Sequence, residues 1–562
     1  MLIHFLFPPA EPSIKGISDL NEDILHLIFE NFDLQPGSPT IAQTRKDLLL
    51  AAKTCKAFVE PALNSLWRVL PSLLPLLLLL PSAEVRDRCY VSSTPSLYLS
   101  RNSAYFIKFV DRLPLNDWER FDVHAPRVRS LYLERLHIVI SPHVYLRIRS
   151  LRPRDTPLLP GLQQIYIPND LNTSFDFSPA LLLASDSSLN SIHLHNSATS
   201  DRQFCIPFLF LLSVNSPNLT HLTLLGTVHM SLELVFCFKN LQSLDLRFSG
   251  TFLDSQFLQD LGKLDNLLDL TLDTGPSIDA PTTRSLMKQS DLTLAPTNST
   301  FKQLRKLYIL GTPSSIGRVL DGMHVLMNLT TLLIHEKPDD LRRHTESSWK
   351  HCFEIISAFP AIKNIHVIQS ESSPGYRLST SCFYPLYQLN NLTSFVIKNG
   401  TLSGSDEDFR LLACAFPNLT TFVEPCAEYR GAGPGRTLAC LFHFSQANRQ
   451  LRNLKISLGF DISDNLKAIN DIGRPIFQNH PLESLHISSN FGSLNLPDTI
   501  QVAQFLDLIF PKLSTLKAYC SDTYEVSNWT KIEQIRVALQ AARKPRINFK
   551  LKVGHRSDRT HR

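Results

Sequence analysis

Cysteine is scarce in this chain and is badly spaced for chemistry. The ten cysteines among 562 residues come no closer than Cys414 and Cys426, so no CxxC pair exists to hold a metal or a redox centre. Nor does the start read as a secretory leader. The start, MLIHFLFPPAEP, has no basic n-region and no adequate apolar core, so the cysteines read as reduced thiols of a cytoplasmic or nuclear protein. Long apolar runs are also missing. The stretch from Leu73 to Pro81 is broken by Pro75 and ends well short of the ~20 residues of a membrane helix, which makes it a buried connecting helix by expectation. An excess of one charge sign is nearly absent, since 56 basic and 51 acidic side chains leave +5, too weak a bias to argue for nucleic acid. Only from Arg543 to Arg562 does charge collect, with Asp558 as the single acid, and this reads as a solvated basic tail with nuclear import or an anionic surface as alternatives. The glycine-rich stretch Arg430 to Gly435 is not followed by the Lys-Ser/Thr of a phosphate-binding loop.

What the chain has in abundance is one pattern: an apolar residue, two variable ones, then apolar, variable, apolar, as in Leu219-Thr-His-Leu222-Thr-Leu224. The frames begin at Val128, Leu162, Leu189, Leu219, Leu241, Leu267, Leu304, Leu329, Ile362, Leu392, Leu419, Leu451, Leu482 and Leu513. The mean period of ~30 residues is somewhat above the usual range for leucine-rich repeats. Alternating apolar residues have the period of a strand with one buried face, and the segments before the frames have the period of a helix. Asp406–Phe416, Trp349–Phe359 and Gln501–Phe510 are the clearest helical halves, each followed by proline. The expected fold class is therefore α/β: a helical N-terminal module, then an irregular leucine-rich-repeat solenoid with a curved parallel sheet inside and helices outside. The frame at Leu419 is the weakest, because Glu424 stands where an apolar residue should turn inward, and a loop or local break is expected there. The sequons at Asn218, Asn328, Asn391 and Asn418 each precede a frame leucine, so the repeat itself generates them.

Strand side chains alternate, so the second, fourth and sixth positions after each frame start face the concave side. This assigns to a target-binding face Tyr132, Tyr166, His193, His195, His221, Asp245, Arg247, Asp269, Lys306, Tyr308, His335, His366 and Lys398, with Asp273, Lys455, His486, Lys517 and Tyr519 in equivalent places. Aromatic, amphipathic side chains on a rigid wall suit protein recognition; solvated strand residues are the plainer alternative. His193, His195 and His221 lack a thiolate or carboxylate at matched spacing for a metal. Asp245, Asp269 and Asp273 form a candidate acidic patch, but no nucleophile motif accompanies them. No catalytic residue, metal or cofactor is expected.

Before the repeats, residues 17–70 read as a compact helical module, flanked by an N-terminal tail (1–16) and a helical linker and cap (71–126). The repeats occupy 127–542 and the basic tail 543–562. In the first helix Asp19 is a candidate N-cap, with Glu22 three residues on. Leu20, Ile24, Leu27 and Ile28 make one apolar stripe and Leu25, Phe29 and Phe32 a second, so the helix needs two neighbours. A helix from about Thr44 to Glu60 follows, then one carrying Leu63, Leu66, Trp67 and Leu70.

These residues resemble the F-box proteins. The resemblance lies in Leu20-Asn21-Glu22-Asp23-Ile24-Leu25-His26-Leu27-Ile28-Phe29, in Leu48 to Phe58 with its Cys55-Lys56-Ala57-Phe58, and in Leu66-Trp67; Asn21 stands where proline is usual, and the Gln35–Lys46 loop is longer than typical. With repeats following, the chain is similar to F-box/leucine-rich-repeat proteins of fungal type. The resemblance implies a substrate receptor of a Skp–cullin–F-box ubiquitin ligase. Leu20, Ile24, Leu25, Ile28 and Trp67 would bind the Skp-type adaptor, which in turn binds a cullin, and the repeats would hold a protein target. The alternative is a protein-interaction scaffold without a ligase role, its helices merely capping the first repeat. Neither reading calls for a membrane or nucleic acid.

Overall fold

A computed structural model of the chain describes residues 21–32, 34, 40–81, 83–87, 105–109, 118–133, 138–140, 142–152, 156–168, 177–184, 189–227, 232–248, 253, 255–275, 301–323, 326–337, 346–370, 377–424, 436–459, 462–472, 479–489, 494–518 and 523–543. Leu20, Asp19, Tyr519, the tail before residue 17, the glycine-rich stretch at 430–435 and all but the first residue of the basic tail lie outside these. Two compact units form, residues 1–311 with 321–328, and residues 312–320 with 329–562.

In the first unit the strands Val69–Leu70, Ser130–Tyr132, Gln164–Ile167, Ser191–Leu194, His221–Gly226, Ser243–Phe248, Asp269–Asp273 and Lys306–Gly311 pair in that order, all parallel. In the second, Thr331–Glu336, Asn364–Ile368, Ser394–Lys398, Thr421–Val423, Asn453–Ser457, Ser484–Ser488 and Thr515–Ala518 do the same. Every frame yields a strand, and each strand begins two residues after its frame start. The reason is burial. The first and fourth residues of every frame are at most 6 % exposed, and each such leucine contributes roughly 1.5–3 kcal/mol on leaving water. The chain folds as a leucine-rich-repeat solenoid.

Asparagines bind successive turns together. The side-chain amides of Asn240, Asn266, Asn328 and Asn418 each donate to a carbonyl of the preceding repeat, at Pro217, Lys239, Lys302 and Asn390. The sequon amides at Asn328 and Asn418 thus have a structural partner. The outer helices form where their apolar periodicity places them, at Glu346–Ile356, Asp406–Ala415 and Leu496–Ile509. Ser405 and Asp408 close a reciprocal capping box on the second of these. A 21-residue helix, Thr523–Arg543, covers the last strand, with Arg536 donating to the Leu513 carbonyl at 2.8 Å and Trp529 to Ser489 at 3.0 Å.

Three expectations are corrected. The linker after residue 70 is only partly helical. Its helices are short, Leu74–Leu77 and Glu119–His124, and between them Ala83–Asp87 pairs antiparallel with Tyr105–Phe109, which pairs parallel with Ile138–Ile140. Tyr105-Phe-Ile-Lys-Phe109 is rich in β-formers, and its partners are distant in sequence. The frame at Leu419 does not break the sheet, since Thr421–Val423 pairs on both sides. Glu424 does turn inward, 1 % exposed, and meets the equally buried Arg436 at 2.6 Å. It also accepts from the Ser457 backbone N–H, while Arg436 lies over the Phe409 ring at 4.3 Å and donates to the Leu402 carbonyl. Finally, the second and third helices of the N-terminal module meet at Cys55, whose extended backbone separates Ile41–Thr54 from Lys56–Arg68.

Candidate protein-recognition surfaces

The module consists of α1 (Glu22–Glu30), α2 (Ile41–Thr54) and α3 (Lys56–Arg68). Asn21 caps α1, accepting from the Asp23 N–H at 3.1 Å, so the residue standing in place of proline begins the helix. Phe29, Leu34, Leu48 and Ala62 form the core, with Phe32, Phe58 and Leu66 packed against it. The two stripes of α1 part company here. Leu25 and Phe29 turn inward, whereas Ile24, Leu27 and Ile28 are 46, 61 and 49 % exposed. Leu25, expected to be a contact residue, is 3 % exposed and is therefore a core residue in the free chain. Leu27, absent from the expected contact set, is the most exposed of the outward three; its place in the Ile24/Ile28 stripe was the signal for it. Trp67 is half-buried and stacks on His124, with ring centroids 4.5 Å apart. Burial pushes the His124 imidazole down to about 4, helped by the charge of Arg127 and opposed by Glu60.

The open face of the first unit's sheet carries the side chains the alternation assigned to it. Tyr132, Tyr166, His193, His195, Asp245, Arg247, Asp269 and Tyr308 are half-buried, and His221 and Lys306 exposed. Register places Tyr132, Tyr166, His193, Thr223, Asp245, Thr271 and Tyr308 on one rung. Tyr132 and Tyr166 stack with centroids 4.3 Å apart at 11°, and Tyr166 lies 4.8 Å from His195 and 5.6 Å from His193. Further along the rung Arg247 grips Asp245 bidentately at 2.9 and 2.6 Å. Burial lowers both histidines; His195 and His221 add to this at His193, Arg247 adds to it at His195, and Asp245 opposes it at each. Both rings are accordingly neutral near pH 7, and His193 meets Ser191 Oγ at 3.1 Å.

The acidic patch does not assemble. Asp245 is held by Arg247, Asp269 faces Lys306 at 3.4 Å, and Asp273 is buried, accepting from the Gly275 N–H. Asp273 ends its strand, where the carboxylate serves the following turn rather than the open face. Among the described residues no group of three histidine, cysteine or acidic side chains is placed to hold a metal, and no helix is long and apolar enough to cross a membrane.

On the second unit's sheet, His335, Ile368 and Lys398 share one rung, and His366 lies on the rung below. Burial lowers His335 and His366, with Lys337 and Lys398 as the respective second causes. His335, His366, Lys455 and His486 are half-buried, and Lys398 and Lys517 exposed.

A groove of about 780 Å³ runs in the first unit between the C-terminal end of α1 and the start of the sheet. Glu30, Phe32 and Arg68 line its module side, and Tyr132, Tyr166 and His193 its sheet side. Sequence reasoning missed Glu30 and Phe32 as surface residues of such a groove, because the sheet enters the picture only when Val69–Leu70 pairs with Ser130–Leu131.

No family model and no curated protein matches the chain. Among solved structures it is similar to an internalin of Listeria monocytogenes, at 14 % identity over 67 % of this chain and 80 % of that one, with a TM-score of 0.29. It is similar to a chain of the Rad7 and Elc1 complex of yeast at 11 % identity, over 62 % and 79 %, with a TM-score of 0.32. A leucine-rich-repeat protein of Leptospira interrogans aligns at 13 % identity over 68 % and 84 %, with a TM-score of 0.29. The repeat fold itself is carried by the strand register and the buried frame residues.

Proposed function

We propose that this chain is the substrate receptor of a Skp–cullin–F-box type ubiquitin ligase, acting in the cytoplasm or nucleus. The observation that carries the reading is the outward stripe of Ile24, Leu27 and Ile28 on α1. The module already has a core of its own, so these three side chains stand on its surface. Such a stripe suits an adaptor helix packing against it, at roughly 1.5–3 kcal/mol for each side chain fully buried. The open sheet face, with stacked tyrosines and paired charges, suits the target. The chain would perform no chemistry. It would raise the concentration of target beside the partner that carries ubiquitin.

The test is retention of a purified Skp-type adaptor by the full chain. Ile24→Asp with Leu27→Asp is expected to abolish retention while circular dichroism and the unfolding midpoint stay unchanged. Leu25→Ala should instead lower stability by about 2–5 kcal/mol, as a core truncation does. An intact chain that retains no adaptor leaves the scaffold reading, in which the strand Val69–Leu70 makes the module an end-cap of the sheet.

A further inference from the structure

We propose that the open face of the second unit's sheet binds an extended, acidic segment of a partner protein, pairing its carboxylates with Lys398, Lys455 and Lys517. The proposal deepens the receptor reading by naming the chemistry of the target, and it rests on that reading only for calling the partner a target.

Charge is the first argument. Between Thr331 and Ala518 the strands of this sheet contain a single acid, Glu336, and it is turned inward at 5 % exposure. The open positions carry Lys398, Lys455 and Lys517 with His335, His366 and His486. Glu483, just ahead of its strand, is paired with Arg452 at 3.1 Å. The first unit differs, because Arg247 and Lys306 on its open face each lie against an aspartate. The histidines of the second unit register the same excess of positive charge. Burial lowers all three, and lysines add to it, Lys337 at His335, Lys398 at His366, and Lys455 with Lys517 at His486, with no carboxylate among the described residues opposing them. Register then supplies a spacing. His366, Val396, Val423, Lys455, His486 and Lys517 form one continuous rung. Lys455 and Lys517 stand two strands apart on it, which is about 9–10 Å at the usual strand separation. Lys398 lies two strands from Lys455 on the other side, two residues beyond Val396. A polyproline II-like segment crossing the strands presents one side at every third residue, about 9.3 Å apart. Acids at that repeat reach successive lysines, and Val396 and Val423 give an apolar floor between the first two. Nucleic acid fits less well, because the open positions of these strands hold no tyrosine, phenylalanine or tryptophan on which bases could stack.

The experiment uses the purified full chain and fluorescence anisotropy. The probes are a fluorescein-labelled dodecapeptide with glutamate at every third position among proline, serine and glycine, its counterparts with glutamine or lysine in place of glutamate, and a labelled oligothymidine. The glutamate peptide should bind, glutamine, which keeps the shape and loses the charge, should weaken binding about tenfold, and lysine should abolish it. Lys398 and Lys517 are both exposed, so their substitution should leave the circular dichroism unchanged. Lys398→Glu with Lys517→Glu should weaken the glutamate peptide by about tenfold or more, Lys398→Arg with Lys517→Arg, which keeps the charge, should hold it within about twofold, and Lys306→Glu on the first unit should have no effect. Equal binding of the glutamate and glutamine peptides, no binding of the glutamate peptide at millimolar concentration, indifference to the double reversal, or tighter binding of oligothymidine than of the glutamate peptide overturns the proposal. Adaptor retention is measured on the same protein. Retention without charge discrimination rejects the acidic-segment site alone, whereas discrimination without retention rejects the ligase reading alone.

Discussion

Glu424 and Arg436 show how a single misplaced charge is accommodated. The carboxylate occupies a position that thirteen other repeats leave to apolar side chains, and burial alone would raise its pKa; Arg436 and the Ser457 N–H oppose that rise. Removing one partner of a buried pair strands the other charge out of water. Arg436→Met is therefore expected to destabilise the second unit by about 3–5 kcal/mol, whereas Arg436→Met with Glu424→Leu should recover the original stability or exceed it. Urea denaturation of the three proteins decides this. A double variant as unstable as the single one would mean that Arg436 acts through its packing on Phe409 rather than through its charge.

At the scale of elements, the junction of α3 with the helix Glu119–His124 is a pH-dependent joint. Trp67 stacks on His124, and the folded state holds that imidazole at about 4 against an ordinary value of 6.5. The depressed value means that the unfolded chain binds the proton more readily. The joint therefore keeps its full stability above about pH 6.5, loses it progressively as pH falls towards 4, and changes little below that. His124→Phe should keep the stack and flatten the dependence of the urea midpoint in this window. Glu60 sits in the same joint, ion-paired with Arg127 at 2.7 Å, which holds its carboxyl below the usual carboxylate range. Its loss of stability comes at lower pH, as the carboxylate protonates, so the two contributions separate on the pH axis.

At the scale of the whole molecule, the first edge of the parallel sheet is the place where self-association is expected to be controlled. The N-terminal module contributes Val69–Leu70 as the first strand and closes the edge of Ser130–Tyr132, with the Arg129 N–H donating to the Arg68 carbonyl at 2.9 Å. Deleting residues 1–70 leaves that edge unpaired. The truncated chain should self-associate through it, seen by light scattering as species larger than those of the intact chain at equal concentration. A truncated chain that behaves like the intact one would assign the module to partner binding alone. The proposed adaptor docking would use the outward stripe of α1, whereas edge closure uses the strand after α3, so the two roles do not compete for one surface.

Sequence alone determined the repeat and its phase. Fourteen frames became fourteen strands, each two residues in from its frame start, because alternation of buried and open side chains is a local property of extended backbone. It also determined which side chains reach the open face in most repeats, with exceptions at strand ends, where Asp273, Ser457 and Ser488 are buried. Other features needed the tertiary structure. Periodicity found both stripes of α1, but only the packing of α2 and α3 decided that Leu25 turns in and Leu27 turns out. Arg436 as the partner of Glu424, the pairing of Ala83–Asp87 with Tyr105–Phe109, and the groove beside Glu30 likewise arise from contacts between segments that no local pattern links. A residue's period states which neighbours it shares a face with, and only the fold states what covers that face.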